Sequence, residues 1–194
     1  MPGDGPLPVT LRVDAAAGLA VRLTLAQVQT HLDEAPLLSE TTVFVRENPS
    51  VVEEAAAELG ASCPPLVCVE GRPSVAVNRL LIGLRAGGAQ LRYHGDFDWA
   101  GLAIAADVMG TGERPWRFGA ADYLSALAAP HPQLPPLGPR PAALRVGWDP
   151  DLVEAMVAGK YAVEEEHVLD VLLADLAEVA SRRDRPHHAD PPER

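Results

Sequence analysis

The sequence predicts an α/β fold in which a parallel sheet is flanked by helices, with extra helices at the C-terminal end. Residues 41–110 alternate between short apolar or β-branched segments and helical segments, in the order β-α-β-α-β-α. The segment from Leu66 to Glu70 is apolar at nearly every position, which is typical of a strand covered on both faces. Hydrophobic residues make up 47% of the 194 residues, enough for a full core. Such strand–helix units require parallel strands joined by right-handed crossovers.

Local signals mark the ends of these elements. Pro49 ends the first strand, because proline cannot donate to a β-ladder. Ser50 and Glu53 have the spacing of a capping box, Gly60 closes the helix that follows, and Ser74 can cap the next one. The predicted elements in chain order are strand 41–47, helix 50–59, strand 66–70, helix 74–85, strand 91–94 and helix 99–109.

Residues 1–40 are predicted to be an N-terminal extension, the remnant or edge of a larger region. Residues 1–8 are rich in proline and glycine, which indicates a loose segment. Residues 9–13 alternate between apolar and polar side chains and predict a short strand. Thr24 and Gln27 have capping-box spacing, so a helix is expected over about 25–32, followed by a loop at Pro36.

The C-terminal part is predicted to be helical and to complete a domain spanning 41–180. A short edge segment is expected at 115–118, a helix at 122–127, and a linker at 130–141, which contains six prolines. Asp149 and Pro150 have the pattern of an N-cap and a first helical residue. A last helix is expected over about 163–179, where apolar residues recur at helical spacing. Residues 181–194 are predicted to be a disordered tail.

Composition and charge narrow the classes of function. The net charge of −11 argues against a free-standing nucleic-acid binder, because phosphate contacts need a basic surface. An acidic metal-dependent enzyme, or a subunit that relies on the basic surface of a partner, remains open. Cys63 and Cys68 lack His or Cys companions at zinc spacing, which favours buried thiols in a reducing cytoplasm. With no apolar run of membrane-spanning length and no signal peptide, we predict a cytoplasmic protein without membrane contact.

Four acidic residues follow the predicted strands and indicate a metal site. Glu47, Glu70, Asp96 and Asp98 come from three strand ends, and the carboxyl ends of parallel strands meet at one edge of a sheet. Crowded carboxylates repel unless a cation lies between them, and hard oxygen ligands suit Mg²⁺ or Mn²⁺. Alternatively, Asp98 is only the N-cap of the helix from residue 99, and Glu47 and Glu70 point into solvent.

Several neighbours of these acids have open roles. His94 is a candidate general acid, or a hydrogen-bond partner that holds Asp96, or a strand-end residue without a chemical role. Arg46, Arg72 and Arg92 lie near the same edge and either meet DNA phosphates or balance the local acids.

Three motifs follow the predicted strands: VRENP at 45–49, EGRPS at 70–74 and YHGDFDWAG at 93–101. The Glu of the first motif, together with the Asp-x-Asp of the third and the helix after it, resembles the Toprim domain, a Rossmann-like fold shared by topoisomerases, primases and several nucleases. The form of the third motif is similar to the topoisomerase VI A-subunit branch. The combination of motifs resembles the C-terminal domain of a bacterial family related to the Toprim nuclease subunit of Wadjet plasmid-defence systems. The resemblance covers about 41–178.

The resemblance implies that Glu47, Asp96 and Asp98 bind Mg²⁺ or Mn²⁺ and that Glu70 takes a second ion or positions a water. It also makes Glu165 or Glu166 a minor ligand candidate, since a Glu at this place lies near the metal edge of the resembled branch. On the residues alone, the three glutamates at 164–166 are expected to form a solvated first turn of the last helix.

The expected activity is DNA nicking or cleavage, with DNA and SMC-like or other defence-system subunits as partners. Members of the resembled family usually carry a long N-terminal region, and we expect this chain to lack it, with DNA engagement and partner docking lost or supplied by another chain. There is no winged-helix module with a nucleophilic tyrosine, which favours attack by metal-activated water.

Two other classes of function stay open. One is a degenerate Toprim-like module that acts only as an interaction subunit. The other is a phosphohydrolase of the haloacid dehalogenase type, whose Asp-x-Asp motif follows the first strand and continues to Thr or Val. Ala100 occupies that place here and two strands precede the motif, so this class is disfavoured.

Overall fold

The computed structural model describes residues 6–32, 38–39, 41–110, 112–130 and 133–183. It confirms the α/β fold, with a four-stranded parallel sheet flanked by helices. The strands are β1 Thr42–Arg46, β2 Leu66–Cys68, β3 Gln90–Tyr93 and β4 Arg114–Pro115. The helices are α1 Pro6–Ala16, α2 Leu25–Leu32, α3 Pro49–Leu59, α4 Val75–Ala86, α5 Trp99–Met109, α6 Ala120–Ala128, α7 Leu152–Gly159 and α8 Leu169–Arg183, with 3₁₀ turns at Gly60–Ser62 and Glu165–Val168. The predicted loop at Pro36 lies outside the described residues. Of the disordered tail predicted over 181–194, residues 181–183 belong instead to α8, and residues 184–194 lie outside the described residues.

The sheet order β2-β1-β3-β4 places the first and third strands side by side at its centre. Val45 of β1 lies opposite both Val67 of β2 and Tyr93 of β3. The turns that follow β1 and β3 therefore begin next to each other at the carboxyl edge of the sheet.

The core has a layer on each face of the sheet, because alternate residues of a strand point to opposite faces. Val43, Val45 and Tyr93 are buried in one layer, together with α4, α5, α6 and α7. Phe44 points to the other layer, where it packs against Trp116 with ring centroids 4.5 Å apart. Helices α3 and α8 cover this second layer. Both faces of the central strand are thus buried, in agreement with its almost uniformly apolar sequence.

The N-terminal prediction is right for one element and wrong for another. In α2, the Gln27 N–H donates to Thr24 Oγ1 (3.3 Å) and the Thr24 N–H donates to Gln27 Oε1 (2.8 Å), so the predicted capping box is confirmed. The strand predicted at 9–13 is wrong, since these residues lie within α1. Five alternating residues are also compatible with a helix, and the proline at the start and the alanines at the end of α1 favour one.

Helix α3 begins one residue before its predicted capping box. Asn48 is the N-cap, and its side chain accepts a hydrogen bond from the Ser50 N–H at 3.0 Å. Pro49 occupies the first helical position, where a missing N–H costs nothing. Ser50 was therefore wrongly predicted as the cap, because Asn48 competes for the same role.

Two predicted helix starts in the C-terminal part are wrong. The Asp149 carboxylate accepts from the N–H groups of Ala120 (2.7 Å) and Asp151 (2.9 Å), while α7 begins only at Leu152. Val163 does not start the last helix, because it forms an antiparallel bridge with Phe97. This bridge brings the segment before α8 across the carboxyl edge of the sheet. In the described part of the chain no helix combines the length and apolar character that crossing a membrane requires.

Candidate active site

The turns after β1 and β3 form an acidic edge at the carboxyl end of the sheet. Glu47 follows β1, and Asp96 and Asp98 lie between β3 and α5. The Phe97 N–H donates to the Val163 carbonyl at 2.8 Å, which fixes the second turn against the segment that leads to Glu165. The structure therefore brings three of the predicted acids together and adds a fourth from the C-terminal part.

Two glycines make this packing possible. A Cβ on Gly95 would lie 2.9 Å from the Tyr93 hydroxyl oxygen and 3.1 Å from Glu47 Oε2. A Cβ on Gly101 would overlap the carbonyl oxygen of Asp96. The spacing of glycines in the sequence around the acids is thus explained by the close approach of α5 and of Glu47 to the acidic turn.

Glu47 and Asp96 are coupled carboxyl groups. Burial, with smaller contributions from the charges of Glu165 and Asp98, raises the pKa of Glu47 to about 7, against a lowering effect of the Asp96 backbone N–H. Burial also raises the pKa of Asp96 to about 7, against a lowering effect of the Glu165 N–H, and the charges of Glu165, Glu47 and Asp98 contribute to the rise. Glu47 Oε2 is buried and has no hydrogen-bond partner. These groups are close enough to repel, and the lone pairs of Glu47 Oε2 accept no hydrogen bond and can therefore bind a ligand.

Asp98 caps α5, which agrees with the alternative interpretation of this residue as an N-cap. Its Oδ1 accepts a hydrogen bond from the Gly101 N–H at 2.6 Å. The same carboxylate raises the pKa of both Glu47 and Asp96, so the cap also contributes negative charge to the acidic edge.

Glu165 connects the two acidic turns, whereas the resemblance suggested Glu165 or Glu166 only as a minor metal ligand. Its carboxylate accepts from Arg46 Nε (3.2 Å) and from the backbone N–H groups of Glu47 (3.3 Å) and Asn48 (2.7 Å). Its own N–H donates to Asp96 Oδ1 at 2.7 Å. Arg46 and Glu165 are both fully buried. The sequence showed only three consecutive glutamates, of which Glu165 is buried while its two neighbours are exposed.

His94 lies in the core and not in the acidic cluster. Its ring is 1% exposed, and its Nδ1 lies 2.9 Å from the Trp116 carbonyl oxygen. Burial, together with the charge of Arg46, lowers the pKa of His94 to about 3, so the ring is neutral at physiological pH. A neutral ring whose Nδ1–H is engaged with the backbone has no proton to deliver as a general acid.

Two of the other predicted residues, Glu70 and Arg72, form ion pairs on the surface. Glu70 is exposed and has a φ of 53°, and its carboxylate accepts a hydrogen bond from Arg22 (Nη1 to Oε2, 3.0 Å). Arg72 pairs with Asp107 at 2.8 Å, also on the surface. Arg46 balances a local acid, which is one of the two roles expected for the arginines.

The acidic edge supplies oxygen ligands suited to a hard cation, although its carboxylates do not converge on one common position. Within the described ranges, no three His, Cys, Asp or Glu side chains are grouped so that they could hold a metal ion. The donor chemistry nevertheless fits Mg²⁺ or Mn²⁺, because the groups are carboxylates and Glu47 Oε2 is buried without a partner. Side-chain rotations of Glu47 and Asp96 would be needed to complete such a site.

Comparison with known proteins gives one match. No curated protein and no solved structure matches the chain. A family model matches residues 21–176, which include the whole sheet, the acidic edge and Glu165. The chain therefore belongs to the family described as "Protein of unknown function C-terminus (DUF2399)".

Proposed function

We propose that this chain is a Toprim-like nucleic-acid-processing domain that nicks or cleaves DNA with Mg²⁺ or Mn²⁺. The observation that carries the proposal is the convergence of Glu47, Asp96 and Asp98 at the carboxyl edge of the sheet, where Glu47 Oε2 is buried without a hydrogen-bond partner. The raised pKa values of Glu47 and Asp96, both about 7, agree with this crowding of carboxyl groups. Such an arrangement destabilises a protein unless a cation neutralises it, and perturbed carboxyl groups cluster at functional sites.

The residues of the acidic edge have separate tasks in this proposal. Glu47 and Asp96 hold the cation, and Asp98 adds charge while it fixes the start of α5. The N–H of Glu165 orients Asp96 by binding its Oδ1. A bound divalent cation would stabilise phosphoryl charge and lower the pKa of a water that attacks phosphorus. His94 has no part in the reaction, because it is buried and neutral.

A partner has to supply much of the affinity for DNA. The chain carries a net charge of −11, and the exposed Arg72 is paired with Asp107. The family is described as the C-terminal part of its proteins, and the motifs resemble the nuclease subunit of Wadjet systems. We therefore propose that the domain works with SMC-like or other subunits of a plasmid or phage defence system, in which basic surfaces bind the DNA backbone.

A second candidate function is a non-catalytic interaction module with a Toprim-like fold. The observation that favours it is the lack of a closed group of metal ligands within the described residues. The buried ion pair with Arg46 also neutralises the charge of Glu165 without a metal ion. This alternative predicts no specific binding of divalent ions.

Metal titration separates the two functions. Calorimetry with Mn²⁺ and Mg²⁺ at about pH 8 is compared for the wild type, Asp96→Asn and Glu47→Gln, with Glu70→Gln as a matched control at another strand end. The proposal expects binding in the wild type and the control and its loss in the other two variants. Plasmid nicking is then measured with the same proteins. If the wild type fails to bind either ion, or if all four proteins nick equally, the nuclease assignment is wrong.

A further inference from the structure

The hydroxyl group of Tyr93 is buried beside the acidic edge without a hydrogen-bond partner. The residue is 0% exposed, and its ring packs edge-on against Phe118 with centroids 6.0 Å apart. A buried hydroxyl without a partner lowers stability, because it has lost its hydrogen bonds to water. Packing alone would be served equally well by phenylalanine at this position.

The hydroxyl lies near the Glu47 carboxylate. Both the Tyr93 hydroxyl oxygen (2.9 Å) and Glu47 Oε2 (3.1 Å) lie close to the position that a Cβ on Gly95 would occupy. The two oxygens are therefore at most about 6 Å apart, a distance that one water molecule can bridge. Glu47 is also the first of the charged groups that raise the pKa of Tyr93, after the larger effect of burial. Gly95 keeps the space between the two groups free of a side chain.

The two unpartnered atoms have complementary chemistry. A phenol hydroxyl donates one hydrogen bond, and a carboxylate oxygen accepts. Among the described residues, Glu47 Oε2 and the Tyr93 hydroxyl are both buried side-chain oxygens without a partner at this edge. A small rotation of Glu47, of the kind that the proposed cation site requires, or one bridging water would join them.

We propose that Tyr93 is a positioning residue, whose hydroxyl donates a hydrogen bond to Glu47 Oε2, directly or through one water, and so orients this carboxylate toward a divalent cation. The inference rests on the proposed function, since it assigns to Glu47 the role of a metal ligand. Tyr93 does not act as a nucleophile here. Its hydrogen stays on the phenol oxygen, and no covalent bond is made or broken.

The variant Tyr93→Phe tests the inference because it removes one oxygen and keeps the ring. Tyr123→Phe is the matched control: the Tyr123 hydroxyl donates to the Tyr161 carbonyl at 2.7 Å, away from the acids. Calorimetry measures the affinity for Mg²⁺ and Mn²⁺, near-ultraviolet difference absorption follows tyrosine during a Mg²⁺ titration, and thermal unfolding is measured without added cation. Glu47→Gln is included in the same series.

For Tyr93→Phe we expect a fivefold to tenfold weaker affinity, in the range of about one hydrogen bond, together with an unchanged or higher Tm and loss of the tyrosine difference signal. Tyr123→Phe is expected to keep wild-type affinity and signal and to have a lower Tm. The inference about Tyr93 is overturned if Tyr93→Phe binds the cations as the wild type does with an intact tyrosine signal. If Glu47→Gln also binds like the wild type, or if the wild type binds no cation, the proposed metal site fails together with it.

Discussion

Replacing Glu47 with glutamine should stabilise the metal-free protein at alkaline pH. Burial and the neighbouring acids move the pKa of Glu47 from 4.5 to about 7 in the folded state. A carboxyl group with a raised pKa contributes stability that is fully present below about pH 4.5 and is lost as the pH rises through about 7. Glutamine does not ionise, so the variant avoids this loss.

The size of the gain follows from the pKa values. The difference between 4.5 and about 7 corresponds to about 3 kcal/mol. Because the carboxylate is partly exposed to water, we expect about half of this value, or about 1.5 kcal/mol at about pH 8. With an m value of about 2 kcal/mol/M, the urea midpoint of Glu47→Gln should lie about 0.7 M above that of the wild type.

The assay is urea unfolding followed by circular dichroism in the presence of a chelator, at about pH 4 and about pH 8. At the lower pH both proteins carry an uncharged side chain, so their midpoints should agree. If the urea midpoint of Glu47→Gln were higher by the same amount at both pH values, the cause would be packing and not ionisation. A lower midpoint for Glu47→Gln at pH 8 would refute the claim that the ionised carboxylate is destabilised in the folded state.

Three further predictions follow from the contacts of the acidic edge. Gly101→Ala should lower the free energy of unfolding by about 2–3 kcal/mol, because its Cβ would overlap the backbone of the acidic turn. Gly138→Ala is its control in the same thermal or urea measurement, since nothing lies within 4 Å of a Cβ at that position. Glu165→Gln should cost about 3–5 kcal/mol, because it leaves Arg46 as an unpaired buried charge, whereas the exposed Glu166→Gln should have little effect. In the proposed metal site, Mn²⁺ affinity measured by calorimetry should rise between about pH 6 and about pH 8, because the two carboxyl groups with pKa values near 7 have to lose their protons. A flat pH profile would contradict binding through these groups.

The sheet and three of the clustered acids could be predicted from the sequence because their signals are local. The strands over 42–46, 66–68 and 90–93 are marked by short apolar segments that end at proline or glycine. In successive strand–helix units the carboxyl ends of the strands share one edge, so Glu47, Asp96 and Asp98 follow from chain order alone. The same rule predicted Glu70 at this edge, but Glu70 itself has a positive φ and its side chain pairs with Arg22.

Contacts between distant residues explain what the sequence could not predict. Glu165 is 119 residues from Arg46, and its burial depends on that pairing. Nothing in the run of three glutamates distinguishes it from its neighbours. The start of α8 was mispredicted for a similar reason. Val163 fits the helical pattern of the sequence, but it forms a β-bridge with the distant Phe97 instead. His94 was attractive as a neighbour of the acids, yet its strand places the side chain in the core.

The bridge between Phe97 and Val163 has a consequence for the order in which the protein matures on the ribosome. Both halves of the sheet leave the exit tunnel well before residues 163–165, because synthesis proceeds from the N-terminus. Until those residues arrive, Asp96 lacks the N–H of Glu165, and Arg46 lacks its counter-charge. The nascent chain thus completes its acidic edge only after most of the domain has been translated, and a message truncated before codon 165 would encode a sheet in which Asp96 and Arg46 lack these partners.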